Sequence, residues 1–273
     1  MRTFGPISSL TILFLALAFS ASAFSQSAAV PASGFVAGGD ATDISEVGVV
    51  RSLSPESALA TYERGLQDQT SALAGYTATS VIDAELPDSS QKAEFELKRH
   101  YVAPGVLEFT PVSSSGDNFV KSNVIVRLLQ SEVEHVRRRE QPLTAIDSSN
   151  YKFSYKGASE INGAPVHVYD VKPRQKRVGL FKGKIYVNSS TGRLVRAEGT
   201  IVKSPSLFIK KIKFVQDYST VDGFTLLSHM HSEAQTRLIG KAIIDVNSRD
   251  YQPEFAGARD LRVAAAAAID GTN

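Results

Sequence analysis

Apolar and polar side chains change places residue by residue through much of this chain. In Lys92–Val102, Ala93, Phe95, Leu97 and Tyr101 share one side, opposite Lys92, Glu94, Glu96, Lys98 and His100. In Phe208–Asp217, Phe208, Ile212 and Phe214 oppose Lys211 and Lys213. In Arg237–Ser248, Leu238, Gly240, Ala242, Ile244 and Val246 oppose Arg237, Lys241 and Asp245. A period of two belongs to a strand with one face in a core and the other in water. The same reading predicts strands at Tyr76–Glu85, Val106–Val112, Tyr151–Tyr155, Val166–Lys172, Leu180–Asn188, Leu194–Lys203 and Phe224–Glu233. Turn residues separate them at Asn162-Gly163, Ser190-Thr191-Gly192 and Asp222-Gly223. Connections this short leave no room for crossover helices, so neighbouring strands run antiparallel.

Two stretches follow the helical period instead. Ser54 can cap a helix, Pro55 suits its first turn, and Glu56 favours the positive end of the dipole. Leu59, Tyr62, Leu66 and Leu73 then form a face that ends near Gly75. Gly65 inside this helix costs about 1 kcal/mol relative to alanine, so the helix depends on packing. A second helix is predicted from about Asn118 to Arg138, capped by Asp117. Its stripe holds Phe119, Val126, Leu129, Val133 and Val136, widened by Val124, Ile125 and Leu128. Arg137, Arg138 and Arg139 close it where cations are favoured.

The predicted fold is therefore α+β and mainly antiparallel: a half-open barrel of about ten strands, with two or more helices lidding its concave face. It is expected to occupy residues 50–252. Residues 1–23 read as a signal peptide: a basic start, an apolar run from Ile7 to Phe19, and small residues to Ala23. Residues 24–49 read as a flexible linker and 253–273 as a flexible tail with an alanine run. The mature chain is thus expected to be exported to a periplasm, without a transmembrane segment. Absence of cysteine excludes a disulfide framework, thiolate metal sites and an acylated N-terminal cysteine. The formal net charge of +2 gives no bulk attraction for polyanions, so nucleic acid is not an expected partner despite the arginine triplet.

A series of strand-and-turn segments carries a family likeness. They are Asn162-Gly163-Ala164-Pro165, Phe181–Val187, Thr191-Gly192-Arg193-Leu194-Val195-Arg196, Phe214–Tyr218 and Val221-Asp222-Gly223-Phe224. Together they resemble the periplasmic outer-membrane lipoprotein-sorting (LolA-like) superfamily over residues 54–251. The resemblance implies an incomplete barrel whose helices cover a concave apolar face. It also implies a carrier of acyl chains, not an enzyme, with membrane-bound donors and acceptors as partners. The dedicated carriers have an Arg-Pro step where a strand ends, and that arginine helps to latch the lid. Here the step is Ala103-Pro104, and Arg99, on the Phe95/Leu97 face, is the candidate substitute.

Reactive constellations are sparse. His229, His231 and Glu233 alternate on one strand and so share a face, which raises a zinc site. The opposite face carries Phe224, Leu226 and Met230, which puts the histidines on the wet side, and no metal or cofactor is expected. Glu94 and Glu96 share their face with Lys92, Lys98 and His100, an ordinary charged surface. Neither Gly-x-Ser-x-Gly nor His-Glu-x-x-His occurs. The expected activity is a carrier or binding protein for a lipid, lipoprotein acyl chain or similar amphiphile. Phe95, Leu97, Ile185, Val195, Ile212, Phe214, Leu226 and Met230 are expected to line the acyl-chain face, with Val126, Leu129 and Val133 on the lid. The alternative is an envelope sensor or scaffold that binds a protein partner with the same fold and carries no ligand.

Overall fold

A computed structural model describes residues 52–257, so the leader, the linker and the alanine run lie outside the described residues. The expected strands form one antiparallel sheet. They are β1 (Leu73–Leu86), β2 (Gln91–Val102), β3 (Val106–Gly116), β4 (Tyr151–Ile161) and β5 (Ala164–Pro173). They continue with β6 (Phe181–Asn188), β7 (Leu194–Ile201), β8 (Ile209–Val221), β9 (Phe224–Thr236) and β10 (Lys241–Phe255). Their spatial order is β3-β2-β1-β10-β9-β8-β7-β6-β5-β4. The edges β3 and β4 do not pair, so the barrel stays open, while β1 joins β10 inside the sheet.

Several strands run further than their periodicity indicates, because a partner backbone satisfies residues whose side chains carry no signal. The serine-rich end of β3 pairs with β2, Ser113 opposite Glu96 and Ser115 opposite Glu94. β10 continues past Gln252 because Leu73 pairs with Phe255. At its other end, the expected strand start at Arg237 is a turn in which the Thr236 amide donates to the Gly240 carbonyl. Leu238, expected on the apolar face, consequently projects into solvent, 69% exposed.

Helix α1 (Pro55–Ala72) has the expected cap, with Ser54 Oγ accepting from the Ser57 amide at 3.2 Å. The second helix, α2, starts as Asn118–Val120, passes through a π-helical turn at Lys121–Ile125 and continues as Val126–Arg137. Asp117 Oδ1 accepts from the Val120 and Phe119 amides, which hold its carboxyl below the ordinary value. The π turn bonds i→i+5 instead of i→i+4, and the wider turn rotates the buried face relative to a continuous α-helix. Val120, Val124, Ile125, Leu128 and Leu129 enter the core against Ile82, Leu97, Ile212, Met230 and Ile244. Phe119 is left 43% exposed, and Val126 is only half-buried.

Two further clusters complete the concave side. Ala58 and Tyr62 of α1 pack with Tyr151, Phe181, Ile185 and Phe214, where Phe181 and Phe214 meet edge to face at 4.9 Å. Gly199 leaves room for the Phe181 ring: a Cβ there would come within 2.6 Å of it. The third cluster joins Tyr76, Tyr101 and Leu107 to Val136, Phe224 and Leu226.

His135 of α2 is buried beside Thr144, whose Oγ1 lies 3.4 Å from Nε2, and beside Glu140, 3.4 Å from Nδ1. Burial lowers its pKa, and the nearby Glu140 and Glu132 only partly oppose this. The unfolded chain then takes up a proton near the ordinary imidazole value of about 6.5, where the folded chain resists it. Stability is expected to be level above neutrality and to fall as pH drops through that value. Urea unfolding of the wild type at pH values either side of 6.5, repeated with His135→Gln, measures this. An unchanged pH slope in the variant rules out the assignment.

Candidate functional site

Helix α1 lies along the end of the sheet where the β6–β7 and β8–β9 turns emerge. Three backbone anchors fix it there. Upstream of the helix, the Leu53 amide donates to the Ser189 carbonyl. Near its middle, Tyr62 Oη donates to the Ile146 carbonyl at 2.8 Å. Near its end, Gln69 imitates a strand residue: Nε2 donates to the Thr225 carbonyl at 2.9 Å and Oε1 accepts the Thr225 amide at 2.7 Å. Gly192, at φ +66°, lets the β6–β7 turn press against Thr61, where a Cβ would come within 2.6 Å. Arg193 binds that turn to the next by donating to the Gly223 carbonyl.

Between these anchors the helix stands off the sheet, leaving a cavity of about 450 Å³. Its apolar wall is Tyr62, Leu66, Ile146, Leu194, Tyr218 and Phe224. Phe255, 47% exposed, meets Phe224 at 5.0 Å and extends the apolar wall toward solvent. Arg64 and Asp68 of α1, with Asp222 on the facing turn, supply charge. Burial pushes the Tyr62 and Tyr218 phenols well up, so both stay neutral. Tyr218 Oη donates to Gln216 at 3.1 Å, and with Tyr62 also paired the wall presents little unsatisfied polarity. A cavity of this size, largely apolar with a few polar groups, matches small-molecule sites of roughly 300–1,000 Å³.

None of the eight residues expected on the acyl-chain face lines this cavity. Leu97, Ile212 and Met230 are buried under α2, with Phe95 packed at their margin. Ile185 and Phe214 lie in the cluster beneath α1, and Leu226 lies in the third cluster. Val195 stands half-exposed at an irregularity where Leu194 takes the place opposite Val187. Of the lid residues, Leu129 is buried in the core, Val133 packs at the edge of the third cluster, and Val126 belongs to none of the three. The cavity is built instead from α1 and from turns, which a search for apolar strand faces passes over. Its traces in the sequence are Gly65 inside a helix and the paired turn glycines Gly192 and Gly223.

Arg99 does what its place on the concave face of β2 suggested. It reaches α2 and pairs with Glu132 at 2.8 Å, both side chains at most 9% exposed, with its guanidinium 5.1 Å from the centre of the Phe109 ring. Burial opposes the guanidinium charge, but Glu132 more than offsets that and holds the group above its ordinary value. Glu132 carried no signal among the apolar residues of its helix.

The His229, His231 and Glu233 side chains are on the convex face, each more than one-third exposed. His231 Nδ1 is 2.8 Å from Asp245, His229 Nδ1 is 3.5 Å from Asp217, and Glu233 accepts from Lys241 at 2.8 Å. They form a ladder of polar contacts across β8, β9 and β10. Among the described residues no group has the arrangement of a metal site.

The fold defines a class: an open antiparallel half-barrel with helices packed on its concave side. Residues 118–245 match a family model described as a family of unknown function, DUF5686. No curated protein matches the sequence. Among solved structures, the chain is similar to a DUF1329 family protein from Desulfovibrio piger, at 11% identity and a TM-score of 0.39, covering 73% of this chain and 92% of that one. It is similar to a LolA superfamily protein from Nitrosomonas europaea, at 12% identity and a TM-score of 0.35, covering 73% and 93%. It is also similar to the Mycobacterium tuberculosis lipoprotein LppX, at 10% identity and a TM-score of 0.26, covering 72% and 96%. These likenesses concern architecture alone. No helix among the described residues is long and apolar enough to cross a membrane.

Proposed function

We propose that this protein is an exported binding protein or carrier for a lipid or a similar amphiphile, which it holds in the cavity between α1 and the turns at the end of the sheet. The observation that carries the reading is the cavity itself: about 450 Å³, apolar along Tyr62, Leu66, Leu194 and Phe224, with charged Arg64, Asp68 and Asp222 at hand. An acyl chain fits the wall and a polar head fits the charges. Burying a dozen or so methylenes supplies on the order of 10 kcal/mol before ordering costs, at ~0.8 per CH₂. The face under α2 is closed by the helix and by Arg99–Glu132. Loading that face requires α2 to lift, whereas the cavity beside α1 takes a chain with both helices in place.

Gly65 gives a test that separates binding from folding. It lines the cavity, and a Cβ added there meets nothing within 4 Å. Gly65→Ala is expected to raise stability by about 0.5–1 kcal/mol through helix propensity. Gly65→Phe is expected to keep wild-type stability and to weaken binding of a fluorescent fatty-acyl probe at least tenfold by filling the space. Native mass spectrometry before and after organic extraction of the wild type detects the natural occupant. A wild type that yields no extractable ligand and binds no acyl probe disproves the reading.

A further inference from the structure

The opposite end of the sheet carries a different surface. There the loop from β7 to β8 lies beside the β9–β10 turn, the Arg237 amide donating to the Phe208 carbonyl at 2.7 Å. Ile209 pairs with Thr236, and continuing that register places Leu207 opposite Leu238. Leu207 is 89% exposed and Leu238 69%, with Phe208 beside them at 37%. The loop is held in this shape by its own bonds. Ser204 Oγ lies 2.7 Å from the carbonyls of both Ser206 and Ile209, and the Phe208 amide donates to Ser206 Oγ. The leucines are thus held outward by an ordered loop.

Within the two segments that build this tip the charges are all positive. Lys203, Lys210, Lys211 and Lys213 lie in the first segment and Arg237 and Lys241 in the second, with no Asp or Glu from residue 199 to 216 or from 234 to 244. Lys241 is paired with Glu233, and Asp88 of the neighbouring turn accepts the Lys241 amide. Among the described residues, Lys203, Lys210, Lys211 and Arg237 form no ion pair. Exposed leucines ringed by unpaired cations make poor contact with water and good contact with the boundary of an anionic bilayer. There the apolar tips enter below the headgroups and the cations meet lipid phosphates.

We propose that the β7–β8 loop and the β9–β10 turn form a docking tip for an anionic lipid membrane, with Leu207 and Leu238 inserting and Lys203, Lys210, Lys211 and Arg237 holding the surface. The tip does not depend on the cavity, which lies at the other end of the strands, so an empty cavity leaves docking intact.

The chain contains no tryptophan, so one introduced indole reports on a single position. In Leu207→Trp, emission is expected to shift to the blue with mixed phosphatidylcholine–phosphatidylglycerol vesicles and to be quenched by brominated acyl chains. Gln67→Trp, exposed on α1 at the far end, is expected to do neither. Adding Lys210→Glu and Lys211→Glu to the reporter is expected to weaken vesicle binding roughly tenfold or more, and raised salt to weaken it similarly. Absence of a shift in Leu207→Trp overturns the proposal, as does an equal response from Gln67→Trp. A dimer dispersed by Leu207→Asp/Leu238→Asp, with no response to vesicles, assigns the tip to a second copy of the chain and overturns it too.

Discussion

Arg99→Ala is expected to destabilise the protein by about 3–5 kcal/mol, because it leaves Glu132 charged, buried and alone. The pair joins β2 to α2 at 2.8 Å with both side chains nearly out of solvent. Arg99 Nε already lacks a hydrogen-bond partner, so the network has no slack to absorb the loss. Glu132→Gln keeps the shape but strands the guanidinium, and a loss of similar sign is expected. The paired substitution Arg99→Met/Glu132→Leu removes both desolvation costs and is expected to recover most of the stability, since a buried pair often breaks even against apolar packing. Urea unfolding of the wild type, Arg99→Met, Glu132→Leu and the paired variant closes a double-mutant cycle that isolates the coupling. Single substitutions costing under about 1 kcal/mol would falsify the view that this pair clamps α2 to the sheet.

The second large effect tests the π turn. Ile125 and Leu128 have no exposed surface and sit against Ile82, Leu97 and Ile244. Ile125→Ala and Leu128→Ala are each expected to cost about 2–5 kcal/mol, the lost transfer energy plus a cavity. Val126→Ala and Phe119→Ala are expected to cost under about 1 kcal/mol, because neither side chain is buried in a cluster. A continuous α-helix with its stripe through Phe119, Val126, Leu129 and Val133 predicts comparable losses at those positions. Denaturant midpoints at constant slope decide between the two faces.

The strands and helices were legible in the chain because their causes are local. Alternation in Lys92–Val102 and the Ser54-Pro55-Glu56 start each act over a few residues, and both appear where the sequence places them. Leu97, Ile185, Ile212 and Met230 were legible as buried for the same reason. Other features had no local cause. Ser113 and Ser115 lie beyond the strand that alternation predicts, which ends at Val112, until β2 pairs with them. Leu238 reads as core by alternation, yet the turn that closes between Thr236 and Gly240 carries it into solvent. The cavity is bounded by α1 and by turns more than one hundred residues later, joined by contacts such as Gln69 to Thr225, 156 positions apart.

By itself the sequence determined the antiparallel class, the apolar face and the two helices, since side-chain period and capping are properties of neighbouring residues. Only the tertiary structure decided which of those apolar residues are sealed under α2, where space is left and which leucines stay outside. Those outcomes depend on how far α1 stands from the sheet, how the π turn rotates α2, and how the barrel's ends close. Each is a balance among backbones brought together from distant parts of the chain, and no short window of residues contains it.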